Sequence, residues 1–196
     1  MAPIGTVICG LVTGLILGFP PGPAGALCAR RSRDEGRKQG ALVALGAAGA
    51  EWVYALLALA LYGLLEDGAA AYRPPLLLAG VVFFLGWGLR GLLWPREDLP
   101  PDWEEHTSLE HFGAGLVVGL SAPGALLGFF AAHLLWQLPS TGWEVFLWLA
   151  GTAAGCLTGR LALVPLTPRL TLLRAEQLGG GLLCLASLGF LTAALL

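Results

Sequence analysis

One carboxylate interrupts a long apolar stretch of this sequence. Glu51 lies about a dozen residues into the run from Gln39 to Leu65. Inserting a charged side chain at mid-membrane depth costs on the order of 2.5–3.5 kcal/mol, so such acids face the interior of a helix bundle and mark ion or proton routes. We therefore expect Glu51 to bind a substrate amino group or a coupling proton. The structural alternative is a protonated acid that only hydrogen-bonds a broken backbone.

Prolines and glycines interrupt two further apolar stretches, Phe19-Pro-Pro-Gly-Pro-Ala24 and Ser121-Ala-Pro-Gly-Ala125. Proline removes an amide donor and clashes with the preceding turn, so neither stretch can continue as one α-helix. In hydrocarbon, irregular backbone is tolerated only where it is buried in protein or lines a wet cavity. New helices starting at Pro23 and Pro123 would present unpaired amides and the positive end of the helix dipole to an anion.

Together these features predict a substrate site near the middle of the membrane. Helix-start amides would hold a substrate carboxylate, and Glu51 would hold its amino group. The alternative is that glycine and proline, which are common in membrane helices, only kink the chain for packing. The predicted substrate-binding residues are Pro21, Gly22, Pro23, Ala24, Glu51, Ala122, Pro123 and Gly124.

Carboxylates, imidazoles and thiols elsewhere show no convincing metal or redox pattern. The segment from Pro95 to His111 is acidic and contains two histidines, a donor set that can bind divalent metals. Its spacing is loose, however, and Thr107-Ser-Leu-Glu110 fits a capping box that starts a helix. The four cysteines lack the spacing of zinc or redox sites, so we expect packing roles. No metal site, cofactor or nucleic-acid partner is predicted.

Composition places the whole chain in a membrane. The mean hydropathy is +0.74 and only 12% of residues are charged, whereas about a quarter are charged in soluble domains. A span needs about 20 mostly apolar residues. Arg160 lies near enough to the end of one span to extend its side chain to the interface, and His133 is expected at the opposite interface. The predicted spans are Ile4 to Ala29, Gln39 to Leu65, Leu76 to Trp94, Phe112 to Gln137, Trp143 to Val164 and Leu172 to Leu196.

Lysine and arginine are concentrated in alternate loops. Five follow the first span, two the third and three the fifth, against one after the second and none after the fourth. The positive-inside rule then places loops 1, 3 and 5 in the cytoplasm and both termini outside. The basic loop from Arg30 to Gly40 is expected to contact anionic lipid. We expect the first span to be retained, because its basic cluster follows the apolar run instead of preceding it as in a signal peptide.

The two interrupted stretches also indicate an internal repeat, because Gly115 to Ala125 matches the pattern of Gly14 to Ala24. Paired interruptions in two halves are the best sequence indicator of the site of a secondary transporter. The predicted fold is an all-α polytopic membrane protein whose six transmembrane helices form two inverted three-helix repeats, with helices 1 and 4 broken. Its parts are residues 1–94, the first repeat; 95–111, an acidic cytoplasmic loop; and 112–196, the second repeat.

Several motifs resemble those of the LysE/RhtB amino-acid exporters of the bacterial inner membrane. In the first half they are Pro21-Gly-Pro23, Arg30-Arg-Ser32, Gly36-Arg-Lys-Gln-Gly40, and Gly46 and Gly49 before the acid. In the second half they are Pro123 with Phe129-Phe130, and the stretch from Gly181 to Gly189. The resemblance implies six spans, export of a small amino acid or derivative, and coupling to protons.

Two positions depart from the pattern that this family commonly shows. The chain reads Ala122-Pro-Gly-Ala125 where the family has Asn-Pro-Lys-Ala, so any role of that Asn and Lys is absent here. Glu51 stands where aspartate is usual, which keeps the charge and lengthens its reach.

The predicted function is therefore proton-coupled export of an amino acid or derivative by a multi-pass protein of the bacterial inner membrane, not an enzyme. Its partners would be the substrate, protons and membrane lipid, and a homodimer is left open. The alternatives are a divalent metal cation exporter that uses Glu51 and the acidic loop, and a CcdA-like membrane redox carrier. The redox alternative is weaker because Gly22 and Gly124 stand where thiols would be needed.

Overall fold

A computed structural model describes residues 3–19, 22–65, 69–94, 107–136, 142–166 and 172–195. Every regular element in these ranges is an α-helix, so the all-α prediction is confirmed. Helices satisfy their own backbone hydrogen bonds, which hydrocarbon requires of a spanning segment. The helices are α1 Pro3–Gly18, α2 Pro23–Asp34, α3 Arg37–Leu65, α4 Ala69–Leu93, α5 Ser108–Leu120, α6 Gly124–Trp136, α7 Trp143–Leu166 and α8 Leu172–Leu195.

Three of the described helices are long and apolar enough to cross a membrane, at Arg37–Leu64, Pro74–Leu93 and Trp143–Leu166. Two bent pairs, α1 with α2 and α5 with α6, raise the number to five if each pair is one span. A shorter apolar helix occupies Gln177–Gly189. The structure is therefore that of a helical protein with several membrane-compatible segments.

The first predicted break separates α1 from α2, whose axes differ by 72°. Pro23 is the first residue of α2, as predicted, a position where its missing amide would have had no intrahelical partner. The site residue Pro21 lies outside the described residues. At its other end α2 continues to Asp34, past the predicted end of the span at Ala29. There Nε of Arg30 lies 3.6 Å from Oδ2 of Asp34, which is one helical turn further along the chain.

The second break bends the chain by 65° between α5 and α6. The amide of Ala125 donates to Ala122 O at 3.2 Å and that of Leu126 donates to Pro123 O at 3.1 Å, which forms the turn. Helix α6 begins at Gly124, one residue after the predicted start. The Tyr54 hydroxyl of α3 donates to the carbonyl of Leu120, so a side chain satisfies one of the carbonyls that the break leaves open.

Glycines bring the helix pairs into close contact. Gly10, Gly14 and Gly18 of α1 lie directly against the backbone of α7, the close approach that small residues four apart permit. The same arrangement joins α3 to α5 through Gly46 and Gly115, and α4 to α8 through Gly88 and Gly180. These contacts set the position of α3 and α7, which carry the buried charged residues Glu51 and Arg160.

The capping box predicted at the start of α5 is present. Glu110 N donates to Thr107 Oγ1 at 3.3 Å, and Thr107 N donates to Glu110 Oε2 at 2.6 Å. We expect Thr107→Ala to lower the free energy of unfolding by about 1 kcal/mol, because the cap acceptor is lost. Reversible unfolding in mixed micelles measures this, with Ser108→Ala, which keeps both bonds, as the control. Equal effects of the two substitutions would contradict the expectation.

Candidate functional site

Glu51 of α3 forms a buried ion pair with Arg160 of α7. Arg160 Nε donates to Glu51 Oε1 at 2.8 Å, and Arg160 Nη2 donates to the same oxygen. The residues are only 4% and 7% exposed. The prediction that Arg160 extends to the membrane interface is therefore wrong. A guanidinium beside a buried carboxylate gains a charge-assisted hydrogen bond, and each charge compensates the other.

One oxygen of this carboxylate is available for a ligand. Glu51 Oε2 is buried and accepts no hydrogen bond from the part of the chain that the structure describes. The thiol of Cys156, one turn before Arg160 on α7, lies beside the carboxylate. That thiol can donate only a weak hydrogen bond to the carboxylate, and a buried oxygen without a strong donor is unfavourable, so Oε2 is a natural place for a proton or for the ammonium group of a ligand.

A cavity next to the ion pair joins it to both helix breaks. The space free for water is about 50 Å³, several times the ~10–15 Å³ that one water needs. Pro123 is exposed at the turn and does not line it. Six of the eight predicted site residues line this cavity, namely Gly22, Pro23, Ala24, Glu51, Ala122 and Gly124. The structure thus brings most of the predicted site together around the ion pair.

Helix α4 adds an aromatic wall that the sequence analysis missed, formed by Phe83, Phe84 and Trp87. The rings of Phe83 and Trp87 meet edge to face, with centroids 5.2 Å apart. Trp87 lies next to Gly22, which belongs to the first break, and next to Gly124, which belongs to the second. The spacing of Phe83 and Trp87, four residues apart on one helix face, was the available signal. That signal does not distinguish a cavity wall from ordinary packing.

His111 and His133 do not form a metal site with the other described residues. Most of the acidic loop, 95–106, lies outside those residues, and within them no group of three or more His, Cys, Asp or Glu is arranged to hold a metal. His111 is buried, with Nε2 3.1 Å from Glu35 Oε2, and Arg31 pairs with the same carboxylate. These contacts join the end of α2 to the start of α5.

His133 was expected at a membrane interface, but the structure buries it. It is 1% exposed and lies edge to face with Tyr62 and Trp148, at centroid distances of 4.3 and 5.2 Å. Aromatic pairs of this kind favour burial of the ring. His133 is thus part of the packed interior and not of the cavity beside Glu51.

Comparison with known proteins agrees with the resemblance seen in the sequence. The sequence model of the LysE type translocator family matches residues 15–178, a range that contains both breaks, Glu51, the α4 wall and Arg160. Members of this family are membrane exporters of amino acids or related compounds and not enzymes. No curated protein and no solved structure matches the chain significantly. Because the match extends over most of its length, the chain belongs to the LysE type translocator family.

Proposed function

We propose that this protein is a secondary transporter that exports a small amino acid or amino-acid derivative across the bacterial inner membrane in exchange for protons. The observation that carries the proposal is the position of Glu51, a buried acid with one unbonded oxygen in a cavity that both helix breaks also line. Membership of an exporter family supports the direction of transport.

The start of α2 supplies the anion-binding half of the site; the start of α6 contributes its dipole, because the amides of Ala125 and Leu126 already donate to Ala122 O and Pro123 O and are not the unpaired amides that the sequence predicted. Gly22 is the N-cap of α2 and provides no side-chain cap; Pro23 has no amide N–H and Ala26 N already donates to Gly22 O, so the amides of Ala24 and Gly25 are left for a ligand. A substrate carboxylate placed there would also meet the positive end of the dipole of α6. Pro23, Ala24, Ala122 and Gly124 shape this region, and Glu51 takes the substrate amino group.

The ion pair offers a simple coupling device. In the empty state Arg160 balances Glu51, so the empty site carries no net charge. A proton on Glu51, or a substrate ammonium group beside it, would weaken the pairing of Glu51 with Arg160. The carboxylate cannot bind the proton and the ammonium group at the same time. Competition between proton and substrate for one carboxylate is what exchange requires, because loading one releases the other.

Helix pairing supports a repeat of six spans with inverted halves. Exchanging the halves would turn the α1–α7 contact into the α5–α3 contact and leave the α4–α8 contact in place, and all three are tightly packed by glycine. We therefore retain residues 1–94 and 112–196 as repeats joined by the loop 95–111. The basic residues then place that loop in the cytoplasm and both termini outside. Rocking one repeat against the other would expose the cavity alternately to the two sides.

The geometry gives less support to a divalent cation exporter. Among the described lining residues the cavity offers one carboxylate, and Arg160 already pairs with it. Calcium, for example, takes six to eight oxygen ligands. Thermal-shift measurements with manganese and calcium against a panel of amino acids separate these functions, and we expect stabilisation by amino acids only.

Glu51→Gln tests the proposed function directly. In liposomes we expect the variant to lose transport driven by a proton gradient, because the amide cannot exchange a proton near neutral pH. The double variant Glu51→Gln/Arg160→Gln should lose it as well, although it leaves no buried charge unpaired. Asp34→Asn, which alters an exposed carboxylate outside the cavity, is the control. Gradient-driven transport that is unchanged in Glu51→Gln, with unchanged pH dependence, would remove Glu51 from the mechanism.

A further inference from the structure

The charges of the described residues that line the cavity sum to zero. Within the described part of the chain, Glu51 and Arg160 are its charged lining residues, and the side chains around them are hydrocarbon or aromatic. A ligand with one positive and one negative group can pair its ammonium group with Glu51 and its carboxylate with Arg160 and the adjacent helix start, which leaves no charge uncompensated. A ligand with an additional charge would bring it into surroundings that offer no counter-ion, which is strongly unfavourable.

The α4 wall determines what lies beside the charged groups. Trp87 stands next to both helix breaks, close to Gly22 and Gly124. A carboxylate bound at those helix starts therefore has its neighbouring side chain close to the rings of Trp87 and Phe83. Contact with these rings favours apolar groups, because it removes apolar surface of both partners from water.

We propose that the cavity selects amino acids of zero net charge with apolar side chains, and that Trp87 is the specificity-determining residue that contacts the side chain. This inference rests on the proposed transport of amino acids through the same cavity. Charge balance excludes substrates with basic or acidic side chains. Among neutral amino acids, the aromatic wall favours those whose side chains have the larger apolar surface.

The backbone around Trp87 shows how its ring is held. A Cβ atom built on Gly124 would lie 2.7 Å from Phe83 Cζ and would overlap the ring of Trp87. A Cβ built on Gly22 would lie 3.8 Å from Trp87 Cζ2, an ordinary contact. Gly124→Ala should therefore displace the aromatic wall, whereas Gly22→Ala should leave it in place, and the two form a matched pair.

Counterflow in liposomes tests this proposal with alanine, leucine, phenylalanine, lysine and glutamate. We expect the purified protein to exchange leucine and phenylalanine at least about tenfold better, as kcat/KM, than alanine, since one methylene in an apolar pocket is worth about 10- to 200-fold. Lysine and glutamate should fall below alanine. Isoamylamine and 4-methylpentanoate, which each keep one charge of leucine, should compete poorly.

Substitutions at the wall provide the second readout. Trp87→Ala and Gly124→Ala should reduce the ratio of leucine to alanine exchange about tenfold, whereas Trp87→Phe and Gly22→Ala should largely retain the ratio. Lysine or glutamate exchanged as well as leucine, or a ratio unaffected by Trp87→Ala, would overturn the specificity proposal and leave amino-acid transport standing. Absence of exchange for every amino acid, with metal or proton flux retained, would instead overturn the proposed function itself.

Discussion

Replacing Arg160 with methionine is expected to destabilise the protein by about 3–5 kcal/mol, among the largest losses that a single substitution causes. The reason is the buried partner. Glu51, 4% exposed, would be left as an uncompensated carboxylate or would have to take up a proton. The measurement is reversible unfolding in mixed micelles, with the free energy of unfolding compared with that of the unmodified protein.

A double substitution separates charge from packing. Glu51→Met/Arg160→Met removes both charges and keeps comparable side-chain volume, and replacing a buried ion pair in this way is often neutral or even stabilising. We expect it to recover most of the lost stability without recovering transport. Arg37→Met, at an exposed position at the start of α3, is the matched control. Single and double variants with additive losses would show that the pair is not coupled.

Gly14→Ala is expected to have the second largest effect, about 1–3 kcal/mol, the usual cost of adding atoms to a packed interior. A Cβ at Gly14 would lie 2.7 Å from Cys156 N and 3.0 Å from Gly155 C. Both are backbone atoms, so α1 can accommodate the methyl group only by moving away from α7. Because α7 carries Arg160, we also expect the ion pair with Glu51 to be disturbed and transport to fall.

Gly5→Ala is the control for that experiment, because it lies on the same helix and a Cβ there would meet nothing within 4 Å. Alanine favours helix by about 1 kcal/mol relative to glycine, so no loss of stability is expected. Thermal unfolding of the two variants in the same detergent compares them. Similar losses at Gly5 and Gly14 would mean that the contact between α1 and α7 does not limit stability.

The sequence predicted the features that depend on local chemistry. Proline cannot continue a helix in any context, so the breaks near Pro23 and Pro123 could be located to within a residue. The capping box at Thr107 could be predicted for the same reason, since its partners lie three residues apart. The depth of Glu51 in an apolar stretch was enough to select it as a site residue.

Partners that are distant in sequence could not be predicted in this way. Arg160 lies 109 residues from Glu51 in the sequence. Because Arg160 is near the end of a predicted span, extension of its side chain to the membrane interface was as plausible as an ion pair in the interior. His133 was misplaced for the same reason, because its aromatic neighbours come from other helices. Opposite charges within two separate apolar stretches were the signal for the ion pair, but that signal specifies neither which helices touch nor on which faces.

By itself the sequence determined an apolar helical chain, the two interrupted apolar stretches and one acid deep within a third, because proline geometry and the cost of inserting charge act on each segment separately. The tertiary structure alone decided that Arg160 neutralises this acid and that Trp87 lies between the two breaks. Those outcomes depend on the glycine faces through which α1 packs on α7, α3 on α5 and α4 on α8. Such contacts form only when whole helices pack together, so they cannot be read from one segment.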